Sequence, residues 1–89
     1  MDRRELIISN AEHIVNKYKN AFIEKKDIDL SRDNDYLTLK PINLYGRNMP
    51  YAAKKILKRF PEIRYVHFTG GWVENVYSRE TLRWGGMWN

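Results

Sequence analysis

Two groups of side chains have the types and spacing that chemistry needs. The first is His67 and Glu74, which flank Gly70-Gly71 in the stretch IRYVHFTGGWVENVYS, residues 63–78. A glycine pair between two runs rich in aromatic and β-branched residues predicts a hairpin with a two-residue loop. In that register Thr69 faces Trp72, Phe68 faces Val73, His67 faces Glu74, Val66 faces Asn75, Tyr65 faces Val76 and Arg64 faces Tyr77. An imidazole opposite a carboxylate can act as a general base with its orienting group. With basic residues around it, the pair would suit cleavage of RNA through its own 2′-hydroxyl. A small metal-independent endoribonuclease would use His67 as base and Glu74 as orienter. The plainer reading is a cross-strand surface pair worth about 0.2–1 kcal/mol. No further catalytic group can be named beside the pair, so the expectation is a protein without enzymatic activity.

The second group is Tyr51, Lys54, Lys55, Lys58 and Arg59 in the segment NMPYAAKKILKRF, residues 48–60, which contains no acid. Cations at helical spacing can neutralise phosphates, and an aromatic among them can stack on a base or sugar. Arg47 extends this candidate nucleic-acid surface, and Lys40, Arg79 and Arg83 are further candidates that sequence cannot place. The competing reading is the solvated outer face of an amphipathic helix.

A third feature is the placement of rings. Alternation along the hairpin puts Val66, Phe68, Val73 and Tyr77 on one face, predicted to be the core face. Ile63, Tyr65, His67, Trp72, Glu74 and Val76 share the other. Tyr65, His67 and Trp72, with Trp88 near the C-terminus, form a candidate partner-binding surface, because Trp and Tyr anchor interfaces. Trp84 is predicted to fill the core.

Charge separates along the chain. The net charge is +5 and the pI about 9.6. Residues 1–35 hold seven Lys/Arg against eight Asp/Glu, whereas residues 36–89 hold nine against three, so all the positive field belongs to the second part. A basic half points to an anionic partner. There is no cysteine, which excludes disulfides, thiolate metal sites and cysteine nucleophiles. The chain contains no HExxH motif, no phosphate-binding glycine loop and no nucleophile elbow. The acidic run from Asp27 to Asp35 lacks the spacing of a calcium loop and reads as a solvated turn. His13 has Lys17 at i+4, not a second ligand, and reads as a surface histidine. No metal or cofactor is expected. No apolar run approaches the roughly 18 residues of a membrane span, and the N-terminus lacks a secretory core, so a cytoplasmic protein is expected.

Several elements must position these groups. Asp2 to Lys26 predicts a first helix, capped by Asp2, with Ile7, Ala11, Ile14, Val15, Tyr18, Ala21 and Phe22 on one stripe. Ile28–Leu30 and Tyr36–Lys40 predict strands around a turn at 31–35, with Pro41 marking a strand end. Asn48 to Phe60 predicts a second helix, capped by Asn48 and stopped by Pro61. It is followed by the hairpin and by a possible further strand through Leu82 and Trp84. The chain, 1–89, is thus expected to be a single small α+β domain of order α-β-β-α-β-β-(β). The expected architecture is an antiparallel sheet with two helices on one face and the other face open. This order is similar to that of the LAGLIDADG homing endonucleases, but the glycine–acid helix motif of that family is missing and no residue role carries over.

The functional expectation is a small non-enzymatic basic module that associates with nucleic acid, DNA or RNA, or with a nucleic-acid-processing protein. One alternative is an inhibitor or adaptor of the kind mobile elements encode, docking on a host protein through the aromatic hairpin face, or a homodimer burying that face. The other is the ribonuclease.

Overall fold

The structure, a computed structural model, describes residues 2–31, 34–70 and 74–88. Helix α1 (Arg3–Asn16) leads into strands β1 (Phe22–Ser31) and β2 (Asn34–Ile42), which form an antiparallel pair. Helix α2 (Asn48–Arg59) then carries the chain back to β3 (Tyr65–Phe68). Strand β4 (Asn75–Tyr77) and a short helix α3 (Arg79–Trp84) complete the fold. The sheet order is β1-β2-β3-β4. The fold is α+β with the helices against the sheet. α1 packs on β1 and α2, α2 on β3 and β4, and α3 on α2, so the helices share one layer.

The sheet is mixed, which corrects the antiparallel expectation. Each hairpin is antiparallel, but β2 and β3 run parallel, with Leu37 opposite Val66 and Leu39 opposite Phe68. The physical reason is the connection. A 12-residue helix rises about 18 Å, enough to return the chain to the starting edge and set the next strand in the same direction.

Local chemistry explains the other departures. The first helix stops at Asn16 instead of Lys26, because Asn20 adopts φ 60° and turns the chain into β1. Phe22 consequently lies in an edge strand and is 48% exposed, not in the helical stripe. Ile7, Ala11 and Val15 are buried as the stripe requires, and the Asp2 carboxylate accepts from the Glu5 N–H at 2.9 Å. Arg47, not Asn48, occupies the N-cap of α2 and makes no side-chain cap bond. The residues read as a final strand form α3. Ser78 and Thr81 close a capping box there, with Ser78 N–H donating to Thr81 Oγ1 at 2.9 Å and Thr81 N–H to Ser78 Oγ at 3.2 Å.

The glycine hairpin has a longer loop than its sequence predicts. Val66 pairs with Tyr77, His67 with Val76 and Phe68 with Asn75, two positions away from the predicted register. A shift of two keeps Tyr65 to Phe68 and Asn75 to Tyr77 on their predicted faces, since the strand period is two, whereas Ile63, expected on the open face, precedes β3 and is fully buried in the core. Val66 and Phe68 are therefore buried against the helices while Tyr65 and His67 lie on the opposite face. Gly70 takes φ 139°, a conformation closed to other residues, and a Cβ there would meet Lys40 Cγ at 3.2 Å. Gly71, Trp72 and Val73 lie outside the described residues, as do Arg32 and Asp33 of the first hairpin turn.

Arg79 ties the layers together. Its guanidinium donates to the carbonyls of Leu57 at 2.6 Å, Phe60 at 3.2 Å and Ile63 at 2.8 Å. These include orphan acceptors at the C-terminal end of α2, where a cation also complements the helix dipole. Arg79→Ala is expected to cost about 2–3 kcal/mol in urea unfolding, because charge-assisted bonds to partly buried carbonyls are lost. Arg79→Lys is expected to recover less than half of that, since an ammonium lacks the fork that reaches three carbonyls.

The same end of α2 and the start of α1 are joined by an ion pair between Arg3 and Glu62. Arg3 Nη2 also donates to Glu62 Oε1 at 3.1 Å. The Arg3 hydrogen bond holds the Glu62 carboxyl below its usual value of 4.5. A carboxyl depressed in the folded state stabilises the fold above its unfolded pKa, and that contribution disappears as pH falls through the folded value. Unfolding free energy measured below pH 5 should therefore fall with acidification. Glu62→Gln should flatten part of that acid limb while changing little at neutral slope.

Candidate nucleic-acid interface

The basic residues of α2 occupy one continuous arc. At about 100° per residue, Arg47, Tyr51, Lys54, Lys55, Lys58 and Arg59 span an arc of about 140° on the helix surface. Ala52, Ala53, Ile56 and Leu57 fill the opposite, buried side. The helix contains no acid. Among the described residues, no ion pair engages Lys54, Lys55 or Arg59.

Tyr51, 42% exposed, heads two diverging rows. Residues four apart on a helix are neighbours, so Lys54 lies behind Lys58 in one row and Lys55 behind Arg59 in the other. The Lys55 row leans toward α1, with the Lys55 ammonium 5.2 Å from the centre of the Tyr18 ring. At its far end the guanidiniums of Arg59 and Arg3 lie 5.9 Å and 5.3 Å from the Phe60 ring. The other row leans toward the C-terminal tail, where the Lys58 ammonium sits 5.2 Å from the centre of the Trp88 ring. Such contacts hold a long, mobile cation in a defined place at a gain of about 0.5–1 kcal/mol each on an exposed surface. The predicted set Arg47, Tyr51, Lys54, Lys55, Lys58 and Arg59 is therefore gathered on one surface. Tyr18 and Trp88 belong to it as well. Sequence reasoning had assigned Tyr18 to the core stripe, and nothing local signals that α1 and the tail deliver rings to α2.

Two of the further cations do not join this surface. Arg79 is spent on backbone carbonyls, and Lys40 lies on the opposite sheet face, 2.9 Å from Glu24.

That opposite face is open, and its charge is different. Pairing across the sheet aligns Asp27, Thr38, His67 and Val76 in one row and Asp29, Tyr36 and Tyr65 in the next. Tyr36 and Tyr65 stack with ring centres 4.7 Å apart. The carboxylates on this side make it unsuited to a polyanion.

His67 and Glu74 come close without forming the predicted cross-strand pair. Val76 faces His67 in the register, and Glu74 approaches from the loop with Oε1 3.9 Å from His67 Nε2. That distance is beyond a hydrogen bond. Glu74 Oε1 instead accepts from Thr69 Oγ1 at 3.3 Å, and His67 Nε2 is buried with no hydrogen-bond partner among the described residues. Of the candidate partner-binding set, Tyr65 and His67 share the open sheet face, Trp88 lies across the sheet against α2, and Trp72 is outside the described residues.

A groove of about 510 Å³ opens where β2 and β3 end and α2 begins, with Leu44, Met49 and Phe68 in its lining and Lys40 and Tyr45 at its margin. Among the described residues, no group of three His, Asp or Glu side chains is placed to hold a metal ion. No helix among them is long and apolar enough to cross a membrane.

Trp84 departs furthest from expectation. Predicted as core, it is 84% exposed at the end of α3, because Leu82 takes the inward position of that helix.

No family model, curated protein or solved structure matches this chain. The reading of its surfaces therefore rests on their geometry.

Trp84→Ala should leave thermal stability within about 0.5 kcal/mol of wild type, as for an exposed side chain without partners in the core. Trp88→Ala should cost about 1–2 kcal/mol, since that ring packs on the core and carries the Lys58 contact. Paired thermal melts of the two variants check both values.

Proposed function

We propose that this protein is a small, non-enzymatic binding module that associates with nucleic acid through the outer surface of its helical layer. One observation carries the reading. Arg47, Lys54, Lys55, Lys58 and Arg59 fall on one arc of α2, whose own sequence contains no acid, and neighbouring segments bring aromatic rings to the same surface. The carboxylates of the uncovered sheet face support the same orientation, since they would repel a polyanion there. Backbone phosphates are the natural counter-charges, and their neutralisation releases condensed cations.

Fluorescence anisotropy with a labelled generic oligonucleotide, titrated over a range of salt, tests the proposal. Four phosphate contacts predict a slope of log K against log salt near about −3 for a single strand. Substituting Lys55 and Lys58 together by Ala should reduce its magnitude by about 1.4. Absence of any binding at low salt would remove the proposal.

A second reading concerns the open sheet face, which half-buried Tyr65 and His67 share with a 44% exposed Val76. It is a surface on which a host protein or a second copy of the chain would dock, as an inhibitor or adaptor requires. A complex that survives nuclease treatment and is lost on Val76→Arg would support it. A complex unaffected by Val76→Arg would count against it.

A further inference from the structure

Resting on the nucleic-acid reading, we infer that the ligand of the α2 surface is a single strand, whose bases stack on Tyr51 and Trp84 while its phosphates lie along the two rows of cations.

Phosphate neutralisation alone asks nothing of aromatic side chains. This surface nevertheless interleaves rings with its cations. Tyr51 stands at the head of both rows, Tyr18 beside Lys55, and Trp88 beside Lys58. The seven steps from Tyr51 to Lys58 rise about 10 Å along α2.

The rings divide by burial. Tyr18 and Trp88 are partly buried and pack on the core, where each also fixes an ammonium. Tyr51 and Trp84 are exposed and contribute nothing to the buried core. Trp84 belongs to α3, which packs on α2 and is anchored there by Arg79. An exposed indole on a helix that packs against the cation-bearing α2 matches the needs of an unpaired base, which offers a free π-face and a nearby phosphate. In a duplex those faces are already stacked on neighbouring bases, and the rings would have nothing to accept. The acidic side of the sheet, with Asp27, Asp29 and Glu74, keeps the strand on the helical layer by repulsion.

The test compares three labelled probes of about 12 nucleotides, within the site sizes such surfaces use. They are a mixed-sequence single strand, its duplex and an abasic single strand, each titrated with wild type, Tyr51→Ala and Trp84→Ala at low salt. Wild type should bind the single strand at least about tenfold more tightly than the duplex. Each ring variant should bind it about tenfold more weakly than wild type, within the range for losing one base–aromatic stack. The abasic strand should be bound weakly and equally by all three proteins, since its phosphates are intact. Tyr51→Phe and Trp84→Phe should restore affinity for the native strand. Both rings are exposed, and circular dichroism melts check that the variants fold. Duplex binding as tight as single-strand binding, or ring variants indistinguishable from wild type on the native strand, would overturn the single-strand inference. Either result would leave the phosphate reading standing. No salt-sensitive binding to any probe would overturn both.

Discussion

A single guanidinium sets the arrangement of the helical layer. Arg79 reaches three carbonyls, two at the C-terminal end of α2 and one at Ile63 just before β3. The Leu57 carbonyl lies in the last turn of α2, where intrahelical donors run out, and the cation lies where the helix dipole favours positive charge. Because Arg79 is the first residue of α3, satisfying the three carbonyls also fixes where α3 begins and how the tail lies against α2. Ser78 supports this position from the other side through its reciprocal bonds with Thr81. The tail then returns over Gly85 and Gly86, and Trp88 meets Lys58.

The placement of α3 explains how a small domain can present a composite surface. In a chain of 89 residues, a single sheet and one helical layer leave one sheet face uncovered. The buried set is confined to the layer between sheet and helices, where Leu37, Leu39, Val66 and Phe68 meet Ile7, Ala53, Ile56 and Leu57. Everything outside that layer is surface, and the two outer faces differ in charge. The sheet side carries Asp27, Asp29 and Glu74 among its cations, whereas α2 itself carries no acid. The field of the molecule is therefore directional, a stronger statement than its net charge.

Cation–ring contacts add order to that field. Lysines on an open helix face sample many rotamers, and fixing them on binding costs entropy. Lys55 against Tyr18 and Lys58 against Trp88 already have a preferred position. Tyr18 comes from the turn after α1 and Trp88 from the tail after α3, so the surface depends on how both segments lie against α2. Loss of the Arg79 clamp would thus reach the site through α3 and the tail, although Arg79 itself touches nothing there.

Much of this was legible in the residues. The faces of Tyr65 to Phe68 and of Asn75 to Tyr77 followed from alternation and survived a two-position change in register, because two is the period of a strand, whereas Ile63, just outside β3, went to the core instead of the open face. The stripe of Ala53, Ile56, Leu57 and Phe60, and with it the exposed basic arc, followed from the 3.6-residue helical period and the absence of acids between Asn48 and Phe60. Other features depended on contacts between segments far apart in sequence. The end of α1 hinged on one left-handed asparagine, and the segment through Leu82 and Trp84 was too short for its alternation to distinguish strand from helix until the Ser78 box was formed. The parallel pairing of β2 with β3, the structural use of Arg79, the exposure of Trp84 and the delivery of Tyr18 and Trp88 to α2 all depend on which carbonyls and hydrophobic faces remain unpaired after the local elements form. Periodicity within one segment reports only that segment's own geometry, so the chain by itself determined the faces, and only tertiary packing decided which faces meet.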